Sequence, residues 1–352
     1  MAEKMASAAQ PQSPNLVIHI LSQHVRTEAD WNSLIESNFA PNTQWTAIQN
    51  RLLDSSSSDS TKAAGKVLEI RATLTLSNPN ERITVDHCKA LRNSEAIQHL
   101  QQAEKVEVVH QPFDLYLDHR TPGLAVFDMD STLIQQEVID ELARAVGRYD
   151  EVAAITEAAM RGELDFEASL RARVGKLEGV DANIWDKLKR DVITVTPGAR
   201  LLVKALKGLG WKTAVLSGGF TPLALWLRDQ LGLDYAHANH LALNEAATLL
   251  SGKLVPGSKI VDGVAKRELL IQLAEENGIP LKNAIAVGDG SNDLLMMSAA
   301  GWGIAFNAKP KVQEAAPARL NTSSLLNIMY LLGYTNAEIA KAADVEISIL
   351  HT

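Results

Sequence analysis

Apolar residues along the chain fall into two kinds of run, which alternate over most of its length. Short runs stand at 124–127 and 284–287, both unbroken, and at 212–216, where Lys212 and Thr213 lead into Ala214-Val215-Leu216; each is too short and too β-rich for a helix. Runs of this kind predict strands of a parallel sheet that is covered on both faces. Between them the pattern turns helical, at 199–208, 221–231, 264–277 and 292–300. Pro197-Gly198 opens this series, while Gly278 and Pro280 stop its longest helix. A hairpin is expected between Asn239 and Val255. The alternation predicts an α/β fold with a doubly wound parallel sheet. One stretch interrupts it. Residues 137–191 read as nearly all helix, at 137–145, 152–162, 166–177 and 184–190. A helical insertion over about 139–195, straight after the first strand, predicts a cap that excludes water from a site beneath it.

The first third of the chain has another pattern. Strands are expected at 15–21, 66–74 and 105–109, with a helix over 85–103 whose Leu91, Ile97 and Leu100 form an apolar stripe. Residues 15–112 therefore predict a small separate α+β domain. They show no catalytic spacing, so a docking, dimerisation or regulatory module is expected there. The serine-rich run 54–60 reads as a loop or disordered insert. Residues 1–14 are polar and Ala/Ser-rich without an apolar signal core, and read as a disordered tail. Arg120-Thr121-Pro122-Gly123 starts a second domain taken to run over 121–322, and 323–352 read as one or two packing helices.

Composition adds bounds. A length of 352 residues allows about two domains. The net charge of −8 argues against nucleic acid as a main partner and suits a cytoplasmic enzyme. One cysteine, Cys88, excludes an internal disulfide and a cysteine-rich zinc site. No apolar run approaches the length of a membrane span.

Candidate chemistry gathers at the ends of the expected strands. The first strand runs into Asp128-Met129-Asp130-Ser131-Thr132-Leu133, two carboxylates spaced two apart and followed by hydroxyls. On a continued strand they would share one side and could hold one ion or one phosphoryl group. The second runs into Ser217-Gly218-Gly219-Phe220-Thr221, where a hydroxyl and glycine amides precede a helix and make an anion site. Lys266, early in the long helix, could neutralise phosphoryl charge as a point cation. The third ends in Gly288-Asp289-Gly290-Ser291-Asn292-Asp293, with Asp289 placed to complete a metal site of oxygen ligands suited to Mg²⁺. Taken singly, each also fits a plain turn, a serine cap or a surface lysine.

Together, and in this order, the four motifs resemble the haloacid dehalogenase (HAD) superfamily of phosphotransferases. The second Asp of the DxDxT form is similar to its phosphatase and mutase branch. Over residues 124 to about 320 the chain resembles the phosphoserine phosphatases within that superfamily, carried also by Glu137-Val138-Ile139-Asp140-Glu141, by Ile155 to Gly162 and by Phe166 to Val174. Ser291 stands where that family usually has alanine. The resemblance implies a HAD-like fold and hydrolysis of O-phospho-L-serine to L-serine and phosphate, closing L-serine biosynthesis. A related phosphatase or phosphotransferase acting on another small phosphomonoester is the alternative. It implies Asp128 as nucleophile, Asp130 as general acid and base, and Mg²⁺ held by Asp128, the Asp130 carbonyl and Asp289. Ser217, Gly218 and Lys266 would bind the phosphoryl oxygens. Glu137 would take the substrate ammonium, Arg173 its carboxylate, and Asn292 would lie at the substrate. Thr132, Met160, Phe166 and Asp293 would support the site. The N-terminal domain fits loosely the ACT-type regulatory domain of some relatives, and a homodimer is compatible with this reading.

Overall fold

The computed structural model describes residues 13–39, 45–55, 64–78 and 81–351. Most of the expected tail at 1–14 and of the serine run at 54–60 lies outside the described residues. The chain divides into two compact units, Met1–Arg120 with Tyr330–Asn336, and Thr121–Met329 with Ala337–Thr352.

In the first unit β1 (Leu16–Thr27), β2 (Trp45–Leu52), β3 (Ala64–Leu74) and β4 (Val106–Pro112) form an antiparallel sheet in the order β2-β3-β1-β4. Alternate residues Leu16, Ile18 and Ile20 turn to one face. There Trp31, Leu34, Cys88, Ile97 and Leu100, from the helices Glu28–Phe39, Val85–Arg92 and Glu95–Glu104, complete a core. The single helix expected over 85–103 is two helices. Asn93 closes the first, and the Ser94 hydroxyl caps the second by accepting the Ile97 N–H at 3.4 Å. Helix Glu28–Phe39 and strand β2 were not expected. Among the described side chains of that helix Trp31, Leu34 and Ile35 reach the core, and Gln49-Asn50-Arg51 interrupts the apolar pattern of an edge strand.

Glu69, only 1% exposed, sits in this unit among cations. Arg51 donates to both of its oxygens at 2.8 and 3.0 Å, Arg71 to one at 3.1 Å, and the Tyr116 hydroxyl to the other at 2.9 Å. Burial pushes this carboxyl up, but His19 and Arg51 outweigh it and hold it well below the usual carboxylate range. Arg51 also donates to the Gly333 carbonyl at 3.0 Å, and the Asn336 N–H to the Leu53 carbonyl at 2.8 Å. These bonds place 330–336 in the first unit, whereas the apolar pattern assigned all of 323–352 to one C-terminal packing group.

The strands of the second unit are β5 (Leu124–Phe127), β6 (Lys212–Phe220), β7 (Tyr235–Asn239), β8 (Leu241–Leu243), β9 (Leu250–Leu254), β10 (Ala284–Gly288), β11 (Trp302–Phe306) and β12 (Ala318–Leu320). Six form one parallel sheet in the order β12-β11-β10-β5-β6-β7, while β8 and β9 pair as an antiparallel hairpin. All four residues of β5 are fully buried, as its unbroken apolar run requires. Leu270 and Leu273 of helix Gly263–Glu276 pack with Leu124, Val126 and Ala286 in one core. The short strands β11 and β12 escaped the sequence pattern, the first because it follows a helix almost directly and contains a glycine.

Between β5 and helix Ala199–Gly208 come the four cap helices Val138–Ala145, Tyr149–Met160, Phe166–Gly175 and Ile184–Asp191. The two linkers of the cap pair with each other. Gln135 N–H bonds the Thr194 carbonyl at 3.0 Å, and Thr196 N–H the Leu133 carbonyl at 2.9 Å. From β5 the chain runs outward through β6 and β7 on one side, and later through β10, β11 and β12 on the other. That reversal brings the carboxyl ends of β5, β6 and β10 together, where open α/β sheets place their ligands.

Candidate active site

The segment after β5 turns at once. Asp128 N–H still bonds the Val287 carbonyl of β10 at 2.8 Å, extending the strand pairing by one residue. A wide turn then closes with Ile134 N–H on the Met129 carbonyl at 3.0 Å, and Ser131 adopts a left-handed φ of 53°. The turn separates the two aspartates in environment, instead of leaving them on one side of a continued strand.

Asp128 faces a buried cation. Lys266 is fully buried, and its Nζ lies 2.7 Å from Asp128 Oδ1 and 2.7 Å from Asp293 Oδ1. Asp128 Oδ1 also accepts the Met129 N–H at 2.7 Å. Asp293 returns to the cluster through the short turn Ser291–Asp293, its Oδ2 accepting the Gly290 N–H at 2.9 Å. Burial depresses the lysine, but Asp128 and Asp293 overcome it and keep the ammonium charged. Burial raises the Asp128 carboxyl well above its ordinary value, Asp293 adds to the rise, and Lys266 opposes it.

Asp130 meets different neighbours. Its Oδ1 accepts the Val138 N–H at 3.2 Å, at the start of the first cap helix. Burial and the charge of Glu137 push its carboxyl up to about 8, so it carries a proton at neutral pH. Gly219 makes room for it, since a Cβ there would stand 2.7 Å from Asp130 Oδ2. Glu137 is exposed and accepts the Ser131 hydroxyl at 2.8 Å.

Asp289 accepts the Thr132 hydroxyl at 3.3 Å, and burial with the Asp293 charge pushes its carboxyl up to about 7. Oxygens of Asp128, Asp289 and Asp293 lie within 4.8 Å of one another. Asp130's carboxylate is not among them. Both oxygens of Asp293 are bonded to protein donors, which leaves Asp128 and Asp289 as the better-placed side-chain ligands. An all-oxygen donor set with more buried carboxylate than cation fits a hard divalent ion. Such an ion would oppose the upward shifts of Asp128 and Asp289.

The anion loop is formed at the end of β6. Ser217 is fully buried, and its Oγ accepts the Gly219 N–H at 2.8 Å. The Gly218 carbonyl accepts Asn239 Nδ2 at 2.9 Å, which fixes the loop against β7. Phe166 of the cap and Asn292 both approach Gly218. Arg173, two residues before the end of the same cap helix, is half-buried and donates Nε to the Ser169 carbonyl at 3.3 Å. Burial depresses its guanidinium, while the charges of Asp140, Glu137 and Asp130 raise it. Met160 ends the second cap helix, and its side chain lies outside the described residues.

Three residues near the site were not singled out from the sequence. Asn239 stands at the end of β7, a position where any polar residue was worth testing as a loop anchor. Lys309, after β11, opposes the upward shifts of Asp289 and Asp140, but its strand went unrecognised. Asp140 was noted only as part of a motif, although its charge bears on Arg173.

Comparison with known proteins follows the same residues. A model of haloacid dehalogenase-like hydrolases matches residues 123–301. The chain is 50% identical over 228 residues to a phosphoserine phosphatase of Streptomyces coelicolor, covering 65% of this chain and 54% of that protein. It is 51% identical over 221 residues to a probable phosphoserine phosphatase of Schizosaccharomyces pombe, covering 63% and 73%. A solved phospho-aspartyl intermediate analogue of phosphoserine phosphatase is 40% identical with a TM-score of 0.55, covering 60% of this chain and 99% of that one. The match thus spans about half the length of the Streptomyces protein and about three quarters of the fission yeast one.

Proposed function

The chain belongs to the haloacid dehalogenase-like hydrolases, and on that premise we propose that it is a Mg²⁺-dependent phosphatase converting O-phospho-L-serine to L-serine and phosphate. That reaction is the last step of L-serine biosynthesis by the phosphorylated route, and a cytoplasmic location suits it. Among the described residues no helix is long and apolar enough to cross a membrane. The observation that carries the reading is one cluster. A buried lysine bridges Asp128 and Asp293, and a carboxyl pushed up to about 8 lies two residues from Asp128.

Phosphomonoester hydrolysis calls for up to roughly 10²¹-fold acceleration, more than any one group supplies. Asp128 attacks phosphorus, forming a carboxylate O–P bond while the bond from phosphorus to the serine oxygen breaks. Asp130, protonated at neutral pH, gives its proton to the departing serine oxygen. It then takes a proton from water as that water attacks the aspartyl-phosphate, which frees phosphate and restores Asp128. Ser217, the Gly218 N–H and Lys266 hold the phosphoryl oxygens through both displacements. Mg²⁺, held by Asp128, the Asp130 carbonyl and Asp289, supplies charge neutralisation when bound. Glu137 takes the substrate ammonium and Arg173 its carboxylate, with Asn292 and Phe166 beside them. Thr132 and Asp293 orient Asp289 and Lys266. Residues 15–112 are an accessory module to the catalytic unit in this reading.

The test is phosphate release from O-phospho-L-serine with Mg²⁺ and with EDTA, for the wild type and Asp128→Asn, beside a panel of other phosphomonoesters. Metal-dependent turnover that favours O-phospho-L-serine and vanishes in the variant supports the reading. Even turnover across the panel removes the Glu137 and Arg173 assignments, and no turnover removes the whole.

A further inference from the structure

Besides its paired linkers, the cap has a second attachment to the rest of its unit. The β8–β9 hairpin is closed by Asn244, whose Oδ1 accepts the N–H groups of Thr248 and Leu249 at 2.9 and 3.1 Å. Beyond the turn, the outer edge of the hairpin pairs with the cap. Gly179 N–H bonds the Leu250 carbonyl at 2.9 Å, Leu250 N–H the Val180 carbonyl at 2.7 Å, and Ala182 N–H the Thr248 carbonyl at 2.8 Å. Residues 179–182 thus pair with the hairpin through one antiparallel bridge, Asp181 opposite Leu249.

One glycine sets how close this pairing can come. Gly252 of β9 has a φ of 69°, and a Cβ there would stand 2.8 Å from Glu178 Cβ and 3.3 Å from the Gly175 carbonyl. Gly175 ends the helix that carries Phe166 at its start and Arg173 two residues before its end. Carbon atoms rest about 3.5–4.0 Å apart, so a side chain at 252 must push that helix end away by a sizeable part of an ångström. A helix is stiff enough to pass such a shift directly to Arg173.

We propose that the β8–β9 hairpin is a strut for the cap, and that Gly252 is a positioning residue. By lacking a side chain it lets helix Phe166–Gly175 seat at the depth where Arg173 meets the substrate carboxylate. This rests on the functional reading above, in which Arg173 binds O-phospho-L-serine. The strut acts on substrate grip and leaves the attacking and proton-transferring groups in place.

The test is Gly252→Ala, assayed with O-phospho-L-serine and with an aryl phosphate that has no amino or carboxylate group. A misplacement of this size should raise KM for O-phospho-L-serine by about ten- to a hundredfold, with turnover of the aryl ester unchanged. Adding Glu178→Gly to the same chain removes the colliding carbon and should restore most of the lost affinity. Gly257→Ala is the control for backbone strain, because Gly257 has a φ of 76° with nothing near its absent Cβ, and it should behave as the wild type. A wild-type KM in Gly252→Ala overturns the proposal, as does equal loss on both esters or no recovery with Glu178→Gly. If Gly252→Ala does not fold, Asn244→Ala loosens the hairpin without added bulk and must show the same split. If the wild type does not hydrolyse O-phospho-L-serine, the functional reading fails separately. Hydrogen exchange then tests the strut alone, since Gly252→Ala must speed exchange at Gly179, Ala182 and Leu250.

Discussion

Replacing Lys266 by methionine tests whether this lysine is the counter-charge of the site. Its Nζ is fully buried and 2.7 Å from both Asp128 and Asp293. At an effective dielectric near 20, each contact is worth about 6 kcal/mol of Coulomb attraction, much of which offsets the burial of three charged groups. Removing one partner from a buried ionic group costs about 3–5 kcal/mol, because the remaining charges stay buried without compensation. Methionine fills similar volume, so the cost is electrostatic and not a cavity. In Lys266→Met the carboxylates of the cluster rise still further above their unfolded values. The folded variant then binds about one proton more than the folded wild type, while the unfolded chains bind alike, so the deficit must shrink as pH falls, by about 1.4 kcal/mol per pH unit. Between pH 7 and pH 5 that recovers roughly 2–3 kcal/mol; below this the unfolded carboxylates begin to protonate as well. The assay is urea unfolding of both proteins in EDTA at pH 7, 6 and 5, following the transition of the unit that contains β5. A deficit under about 1 kcal/mol, or one that does not change with pH, refutes the assignment.

Three further outcomes follow from other parts of the structure. Adding Mg²⁺ to EDTA-treated protein should raise its stability by about 2.7 kcal/mol at a hundredfold excess over Kd, and a thermal scan of Asp289→Asn should show that gain lost. Arg173→Ala should lower kcat/KM for O-phospho-L-serine by roughly 10- to 150-fold, the worth of a charged hydrogen-bonded contact, and equal loss on an aryl phosphate would count against the carboxylate role. Glu69→Gln should destabilise the first unit by about 3–5 kcal/mol at pH 7. Because the folded carboxyl lies below its unfolded value of 4.5, that contribution is whole above pH 4.5 and fades as pH falls beneath it, so acid unfolding should bring the two proteins together.

What the sequence revealed follows from which forces act locally. Leu124–Phe127 and Ala284–Gly288 lie in the middle of a parallel sheet, so burial on both faces writes an unbroken apolar run into the chain. The polar residues that end those runs mark the carboxyl edge of the sheet, which made Asp128, Ser217 and Asp289 readable as one site. The edge strands β2 and β12 carry no such run and were missed, whereas the edge strand β4, buried along nearly its whole length, was legible. Tyr330–Asn336 joins the first unit through Arg51 and Leu53, more than 270 residues away in the chain, and no periodicity records a bond of that range. Lys266 shows the same limit within the site. Its type and place in a helix were visible, but its complete burial between two aspartates follows from the turn at 291–293 folding back over helix Gly263–Glu276.

The different environments of the two aspartates bear most directly on chemistry, and spacing alone assigned them a common one. Both carboxyls rise, since burial raises each and the charge of Asp130 adds to the rise of Asp128. The wide turn after Asp128 nevertheless gives each a different main neighbour. Asp128 lies against a lysine whose charge its neighbours secure, and Asp130 lies against the carboxylate of Glu137 and the first cap helix. A pair of like groups with opposed surroundings is how one site obtains an anionic nucleophile and a neutral proton donor at the same pH. On the proposed reading, the division of labour is therefore set by Lys266 and Glu137 and not by the aspartates themselves. Removing the charge at each neighbour should shift Asp130 in opposite directions. Glu137→Gln removes the charge that lifts Asp130, and should move the proton-donor limb of the kcat profile to lower pH. Lys266→Met removes a charge that holds Asp130 down, and should move that limb to higher pH while turnover falls. If both substitutions moved the limb in the same direction, Lys266 and Glu137 would not be the opposed neighbours that set it.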